Sequence, residues 1–438
     1  MTDTIETTTS SDQDMHEPLI VVSSDCHVSP QLVDDLLPYC PKRYVDAFWQ
    51  WMDESAERRA AGRKGFVFGG DENLDMIKKI HTWNLQTEGA RDIHARIRDM
   101  DRDGVAGEII FHGSAPFEPM PFLTSGIGVT LKDPELAAAG GHMYNQWLAD
   151  FCSVEPERHV GLCQLPMWDI EASIKELEWA REHGLRGANL PSPRADLLGY
   201  EDPAWDPFWA ACQDLGMTLA SHGGGGAATP PVSGPMAMHI YMAESNAFNR
   251  VSPVVRLLFA GVFERFPGLK IVQTEQQGAW YGDVLKELDS RWEAFRVQIG
   301  EGFIGRPSDQ LREHYFVGAS FQSRFEAETA IAQGYTDNII WGSDYPHPEG
   351  TYRFPEDPDD TPMTHLAMRN TYHGLPAEPV RKMLGENGVG VYGFDREALV
   401  KVAARINAPT LDELSRPLGD EERPSHWGFA FRESAWLT

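Results

Sequence analysis

The sequence predicts an α/β chain folded as a (β/α)8 barrel, and three observations carry that expectation. Eight short apolar runs recur along the 438 residues. Amphipathic helical stretches separate them, which is the pattern of parallel βαβ units. Residues able to bind a metal stand where these runs end, the rim on which barrels of this class carry their chemistry. A typical barrel needs roughly 250 residues, so the surplus is assigned to an insertion after the first strand and to a C-terminal extension.

Residues 1–17 (MTDTIETTTSSDQDMHE) read as a flexible, acidic lead. They lack the basic start and apolar core of a secretory signal. The barrel is assigned to residues 18–400. Pro18–Ser23 (PLIVVS) is the first strand and leads into Asp25, Cys26 and His27. Residues of about 30–104 form the insertion, too long for a simple connection and expected to hold its own helices. The remaining strands are Gly107–Phe111, His159–Leu165, Gly187–Leu190, Met217–Ala220, Leu269–Thr274, His314–Val317 and Asn338–Trp341. Between them, Ile174, Leu177, Trp179 and Ala180 recur at helical spacing, as do Trp205, Phe208, Trp209 and Cys212, and later Val255, Leu258 and Phe259. These stripes read as core. Residues 401–438 form the extension, whose aromatics (Trp427, Phe429, Phe431, Trp436) are expected to pack on the barrel or on a partner subunit. A doubly wound open sheet is the rival architecture, weakened because no glycine-rich phosphate loop follows the first strand.

Composition narrows the function. Hydrophobic residues make up 42% and charged residues 24%, ordinary for a globular chain. Lys and Arg number 38 against 66 Asp and Glu, a net charge of −28. That field argues against nucleic acid or an anionic membrane as partner, and leaves a small-molecule substrate. No apolar run approaches the roughly 20 residues of a membrane span. Five scattered cysteines (Cys26, Cys40, Cys152, Cys163, Cys212) without a CxxC fit a reducing cytoplasm and exclude a thiolate zinc site.

The chemistry is expected at the strand ends. Asp25 and His27 stand at i, i+2 after the first strand, so in extended chain they face one side. His222 closes strand five in LASHGGGG, where glycines let a ligand approach. Glu275 closes strand six and Asp344 closes strand eight in IIWGSDYPHPEG. Each alone has an ordinary structural explanation: a turn carboxylate, a satisfied histidine, a surface ion pair. Together they suggest one divalent ion held by Asp25, His27, His222 and Asp344. Imidazole and carboxylate donors suit Zn first, with Mn or Fe(II) compatible. His112, Gln164, Asn189 and His347 are expected to line the substrate pocket. Trp49, Trp51, Phe66, Phe68 and Trp83 of the insertion either roof that pocket or form the insertion's own core.

The segments SSDCHVSP, LFAGVFERFPGLKIVQTE, WGSDYPHPEGTY and LGENGVGVYGFD, in that order, resemble the amidohydrolase superfamily. The resemblance is to its aminocarboxymuconate-semialdehyde decarboxylase-like branch. It implies a (β/α)8 fold, one divalent metal, a homo-oligomer such as a dimer, and either hydrolysis or non-oxidative decarboxylation. Two positions depart from the pattern: Ser29 replaces the second histidine of an Asp-x-His-x-His opening, and Glu275 replaces the usual strand-six histidine. As a hydrolase, the chain would use a metal-activated water with Asp344 as general acid/base, His222 as ligand and Glu275 orienting the water. As a decarboxylase, Asp344 would protonate the carbon that loses carbon dioxide. The missing strand-six histidine favours hydrolysis on sequence grounds; a metal-free binding barrel is the non-enzymatic reading.

Overall fold

The computed structural model describes residues 15–65, 83–84, 86–114, 119–123, 133–194, 197–223, 237–299, 305–357, 359–423 and 431. Eight strands form one parallel sheet in the order β1 to β8: Val22–Val28, Gly107–His112, His159–Cys163, Gly187–Asn189, Thr218–His222, Ile271–Thr274, Tyr315–Ser320 and Ile339–Gly342. All eight apolar runs become strands. The sheet closes where β8 meets β1: Asp344 N donates to Asp25 O at 2.9 Å, and His27 N donates to Tyr345 O at 2.6 Å. Ser24 Oγ also donates to Ile340 O at 3.1 Å. These contacts nearly close the barrel and dispose of the open-sheet alternative.

The first strand differs from its expected bounds. Pairing begins at Val22 and continues through Asp25 and His27 to Val28, because Cys26, His27 and Val28 pair with Ile110, Phe111 and His112 of β2. Pro18 instead forms an isolated antiparallel bridge with Thr410. The β1–β2 register shifts between Ser23 and Cys26. Such a bulge re-aims a side chain without ending the strand, and here it falls on Asp25.

The core has two parts. Val22, Ile109, Phe111, Leu162, Val272, Phe316 and Ile340 belong to one cluster, together with Val389, Leu399 and Val402 of the C-terminal segment. A larger cluster joins the strands to the helices through Leu177, Trp205, Phe208, Trp209, Leu258 and Trp341, so most of the sequence's apolar stripes are core; Phe259 is instead exposed at 38%, and Ile174, Trp179 and Val255 pack half-buried against the cluster. Helix Arg396–Arg405 contributes Leu399, Val402 and Ala403, and Leu411 and Leu414 join the larger cluster; this part of the extension packs on the barrel. Of the tail aromatics, Phe431 is half-buried and Trp427, Phe429 and Trp436 lie outside the described residues. Asn387 ties the chain to strand eight by donating to Thr336 O and Ile339 O, each at 2.7 Å. Gly385 lets the same segment approach β1; a Cβ there would stand 2.0 Å from Ile20 O.

In the long stretch after β1, helix Val45–Gly65 carries Trp49 and Trp51, and helix Ile93–Asp103 immediately precedes β2. Trp49 is exposed, and Trp51 rests against Phe48 and Phe122 with centroids 6.0 and 5.9 Å away. Phe66 and Phe68 lie outside the described residues. Helix Ile93–Asp103 inserts Arg96 into the barrel wall, fully buried. Its Nε donates to Glu108 Oε2 at 2.9 Å and its Nη1 to His27 O at 3.0 Å. The guanidinium also lies 3.9 Å over the Tyr345 ring. Burial would raise the Glu108 carboxyl, but Arg96 and His159 hold it down at about 2. Removing one partner of a buried pair strands the other charge. Glu108→Gln is therefore expected to lose about 3–5 kcal/mol in denaturant unfolding; a loss below about 1 kcal/mol would contradict this role.

Candidate metal centre

The strand ends bring one donor atom each of Asp25, His222 and Asp344 close to His27 Nε2. His27 Nε2 lies 3.1 Å from Asp25 Oδ1, 3.3 Å from Asp344 Oδ1 and 3.2 Å from His222 Nε2. His222 Nε2 lies 3.4 Å from Asp25 Oδ1. Ligands bonded to one ion at about 2.1 Å are separated by about 3.0 Å at octahedral angles and about 3.4 Å at tetrahedral ones. The observed spacings fall in that interval.

Satisfaction of the buried atoms gives a second test. Asp25 and Asp344 are fully buried, yet Asp25 Oδ1 and both Asp344 oxygens accept no hydrogen bond from the described residues. Imidazole nitrogens of His27, His222 and His347 stand 2.8–3.4 Å from these oxygens as ion-pair partners. Buried charged oxygens in that state are normally satisfied by a partner or a metal, so this donor set fits a divalent ion. The other Asp25 oxygen, Oδ2, accepts from Ser320 Oγ at 2.5 Å. Ser320 ends β7 and was not foreseen, although a hydroxyl at a strand end was the available signal.

Backbone geometry is strained at the same rim. Asp344 and Glu275 have φ of +55° and +54°. Non-glycine residues held there are uncommon and cluster at functional sites. Glu275 does not join the four donors. Its Oε2 faces His222 Nδ1 at 3.4 Å, the opposite ring nitrogen from the one in the cluster. The hydrogen bond of His222 Nδ1 is to Gly223 O at 3.0 Å, so the backbone orients the ring and Glu275 adds a charge beside it. Gly223 makes room, since a Cβ there would stand 2.7 Å from Glu275 Oε2; the glycines after it lie outside the described residues. Glu349, also unforeseen, offers a carboxylate oxygen within 4.8 Å of those of Glu275 and Asp344.

Electrostatics follow from this crowding. Burial would raise Asp25, but His222 and His27 hold it well below the usual carboxylate range. Burial would lower His222, but Asp25 and Glu275 push it up to about 10. Burial raises Glu275 to about 8, with Asp344 and Asp25 adding to the rise and His222 opposing it. His347 is likewise driven well above its ordinary value, burial being overcome by Asp344.

Beside the donors opens a cavity of about 280 Å³. His112, Gln164, Asn189 and His347 all line it, together with Phe111 and Met120, which sequence reasoning did not single out. His347 Nδ1 lies 2.8 Å from Asp344 Oδ1, its Nε2 is 3.3 Å from Gly113 O, and its ring stacks on His27 at 4.2 Å. None of Trp49, Trp51 and Trp83 is among the lining residues; Phe111 supplies the aromatic wall.

Metal uptake should be proton-linked. His222 must lose its proton to ligate, and in the metal-free protein it keeps that proton up to about pH 10. Mn(II) affinity is therefore expected to rise between pH 6 and 8, by up to about tenfold per unit for each proton displaced. Titration calorimetry in buffers of different ionisation heat should register the released protons; an affinity flat with pH would contradict the ligand assignment.

Comparison with known proteins places this geometry in context. A family model described as amidohydrolase matches residues 80–394, more than half of the chain. Gamma-resorcylate decarboxylase of Polaromonas sp. strain JS666 is 24% identical over 269 residues, covering 57% of this chain and 76% of that protein. The 2-amino-3-carboxymuconate-6-semialdehyde decarboxylase of Dictyostelium discoideum is 24% identical over 274 residues, 59% of this chain and 68% of that protein. Among solved structures, dihydroxybenzoic acid decarboxylase from Polaromonas sp. JS666, with bound manganese and 2-nitroresorcinol, superimposes with a TM-score of 0.54. The superposition covers 87% of this chain and 99% of that one, and at 20% identity the likeness is one of fold. With an eight-stranded barrel, a divalent-metal donor set at its rim and a family match across most of its length, the chain belongs to the amidohydrolase family.

Proposed function

We propose that the protein is a metal-dependent, non-oxidative decarboxylase of a hydroxylated aromatic carboxylate. The observation that carries this reading is the four-donor centre opening onto a cavity of about 280 Å³ walled by Phe111. A cavity of ~150 Å³ already holds a benzene ring, so a single substituted ring fits. The names of the relatives then favour decarboxylation over the hydrolysis that Glu275 suggests from sequence. With its carboxylate turned to His222 Nδ1, Glu275 has a supporting position that needs no hydrolytic water.

Asp25, His27, His222 and Asp344 would hold a divalent ion, which when bound would supply positive charge to the substrate's carboxylate and neighbouring hydroxyl and stabilise the charge left on the ring as carbon dioxide departs. Likeness to the manganese-containing structure supports Mn ahead of the Zn expected from donor type. The protein's own residues do the rest. Phe111 offers the ring an apolar face. As the carbon–carbon bond breaks, its electron pair stays on the ring carbon, which must take up one proton. Asp344 delivers that proton. His347, driven to hold its own proton by Asp344 and the glutamates nearby, restores it from 2.8 Å away.

The test is Mn-loaded protein incubated with 2,6-dihydroxybenzoate and related hydroxybenzoates in D2O. Expected are one carbon dioxide and one ring deuterium per product, and a kcat about 10²–10⁴ lower in Asp344→Asn at restored metal content. Incorporation of labelled oxygen from water without carbon dioxide release would establish the hydrolase reading instead.

A further inference from the structure

We propose that Gln164 and Asn189 form a recognition pair for a neutral ring hydroxyl on the part of the substrate turned away from the metal. The inference rests on the decarboxylase reading and adds what the substrate must carry besides its carboxylate.

Gln164 follows directly on β3, and Asn189 is the last residue of β4. Asn189 Nδ2 donates to Gln164 Oε1 at 3.1 Å. That bond uses the amide oxygen of one side chain and the amide nitrogen of the other. Gln164 Nε2 remains as a donor and Asn189 Oδ1 as an acceptor, side by side in the cavity wall. A hydroxyl is the smallest neutral group that accepts from the first and donates to the second.

The pair is held in place from behind. Asn145, fully buried on helix Pro134–Cys152, clamps the Gln164 backbone in both directions. Its Oδ1 accepts from Gln164 N at 2.7 Å, and its Nδ2 donates to Gln164 O at 2.9 Å. Asn145 is itself fixed by Glu176, whose Oε1 accepts from Nδ2 at 2.7 Å. Asn145 and Glu176, two polar side chains, are thus used to set one glutamine at a pocket wall, far more support than a surface amide needs. Asn189 pairs in register with Ala220, two residues before His222, and both members of the pair line the cavity that His27 and His222 also line. A ring anchored by its carboxylate at the centre directs its remote edge there.

Chemistry at the pair also excludes. His112 and His347 are the titratable groups of the lining outside the donor cluster, and among the described lining residues there is no Lys or Arg. A second carboxylate at the remote edge would meet Asn189 Oδ1 with no Lys or Arg among the described lining residues to pair with it, whereas a hydroxyl is matched on both sides. Sites built to hydrogen-bond a hydroxyl reject analogues lacking it far more strongly than apolar pockets reject a missing methylene.

The experiment measures binding of 2-hydroxybenzoate, 2,4-dihydroxybenzoate and 2,5-dihydroxybenzoate to the full-length Mn-loaded protein. At least one dihydroxy compound should bind tenfold or more tightly than 2-hydroxybenzoate. Gln164→Leu and Asn189→Leu should each remove most of that gain, while 2-hydroxybenzoate, lacking the group, changes far less. Equal binding of all three to the wild type overturns this inference alone. So does a gain that survives both substitutions, or a parallel loss of 2-hydroxybenzoate in both variants, which would make the pair a general support of the pocket. Failure of all three to bind the metal-loaded protein overturns it together with the decarboxylase reading.

Discussion

Two backbone hydrogen bonds, Asp344 N to Asp25 O and Tyr345 O from His27 N, carry more of this molecule than their number suggests. They join the last strand to the first, and so bring residues over 300 positions apart into one donor cluster. Loop closure over such a span is entropically unfavourable, and the core must offset it. The structure reinforces the seam with side chains. Ser343 N donates to Ser23 Oγ at 2.9 Å, and Ser320 Oγ holds Asp25 from the next strand. Arg96 braces it from the outer side through His27 O and the Tyr345 ring. The metal centre is then a consequence of closure: once β8 lies along β1, the bulge at Asp25 and the left-handed turn at Asp344 aim both carboxylates at the imidazole of His27.

Charge explains why such a centre needs an ion. Asp25 and Asp344 are wholly buried, Glu275 is largely so, and Glu349 is partly buried close by. In a low-dielectric setting like charges this close disfavour one another's ionisation, and the metal-free protein relieves them with protons on His222, Glu275 and His347. A divalent ion would replace those protons with a fixed charge and so would give a proposed anionic substrate something to bind in a chain of net charge −28. On the proposed reading, the reaction would depend on two regions: a charged pole on β1, β5 and β8, and a neutral hydrogen-bonding wall on β3 and β4.

Much of this was legible in the sequence because barrels write their chemistry at strand ends. The eight apolar runs became strands, and Asp25, His222 and Asp344 each come within 3.3 Å of His27 Nε2 although nothing local requires it. What was not legible depended on closure or on side-chain direction. β1 runs on through Asp25 and His27 because β2 and Tyr345 supply partners there, and no property of PLIVVS reveals that. Glu275 reads as a candidate for catalysis from its position at the end of β6, but only the φ of +54° shows it turning to the far nitrogen of His222. Ser320 and Glu349 carry weak signals in isolation; their meaning comes from Asp25 and Asp344 being beside them.

The central claim is that one divalent ion is held jointly by Asp25, His27, His222 and Asp344. Anomalous diffraction from crystals of the Mn-loaded protein, recorded at the manganese edge, tests it most directly. The account predicts one strong peak about 2.0–2.3 Å from Asp25 Oδ1, His27 Nε2, His222 Nε2 and Asp344 Oδ1, with Glu275 outside that distance. No peak at the strand ends, or a peak ligated by Glu275 and Glu349 with His27 and His222 uncoordinated, would contradict it.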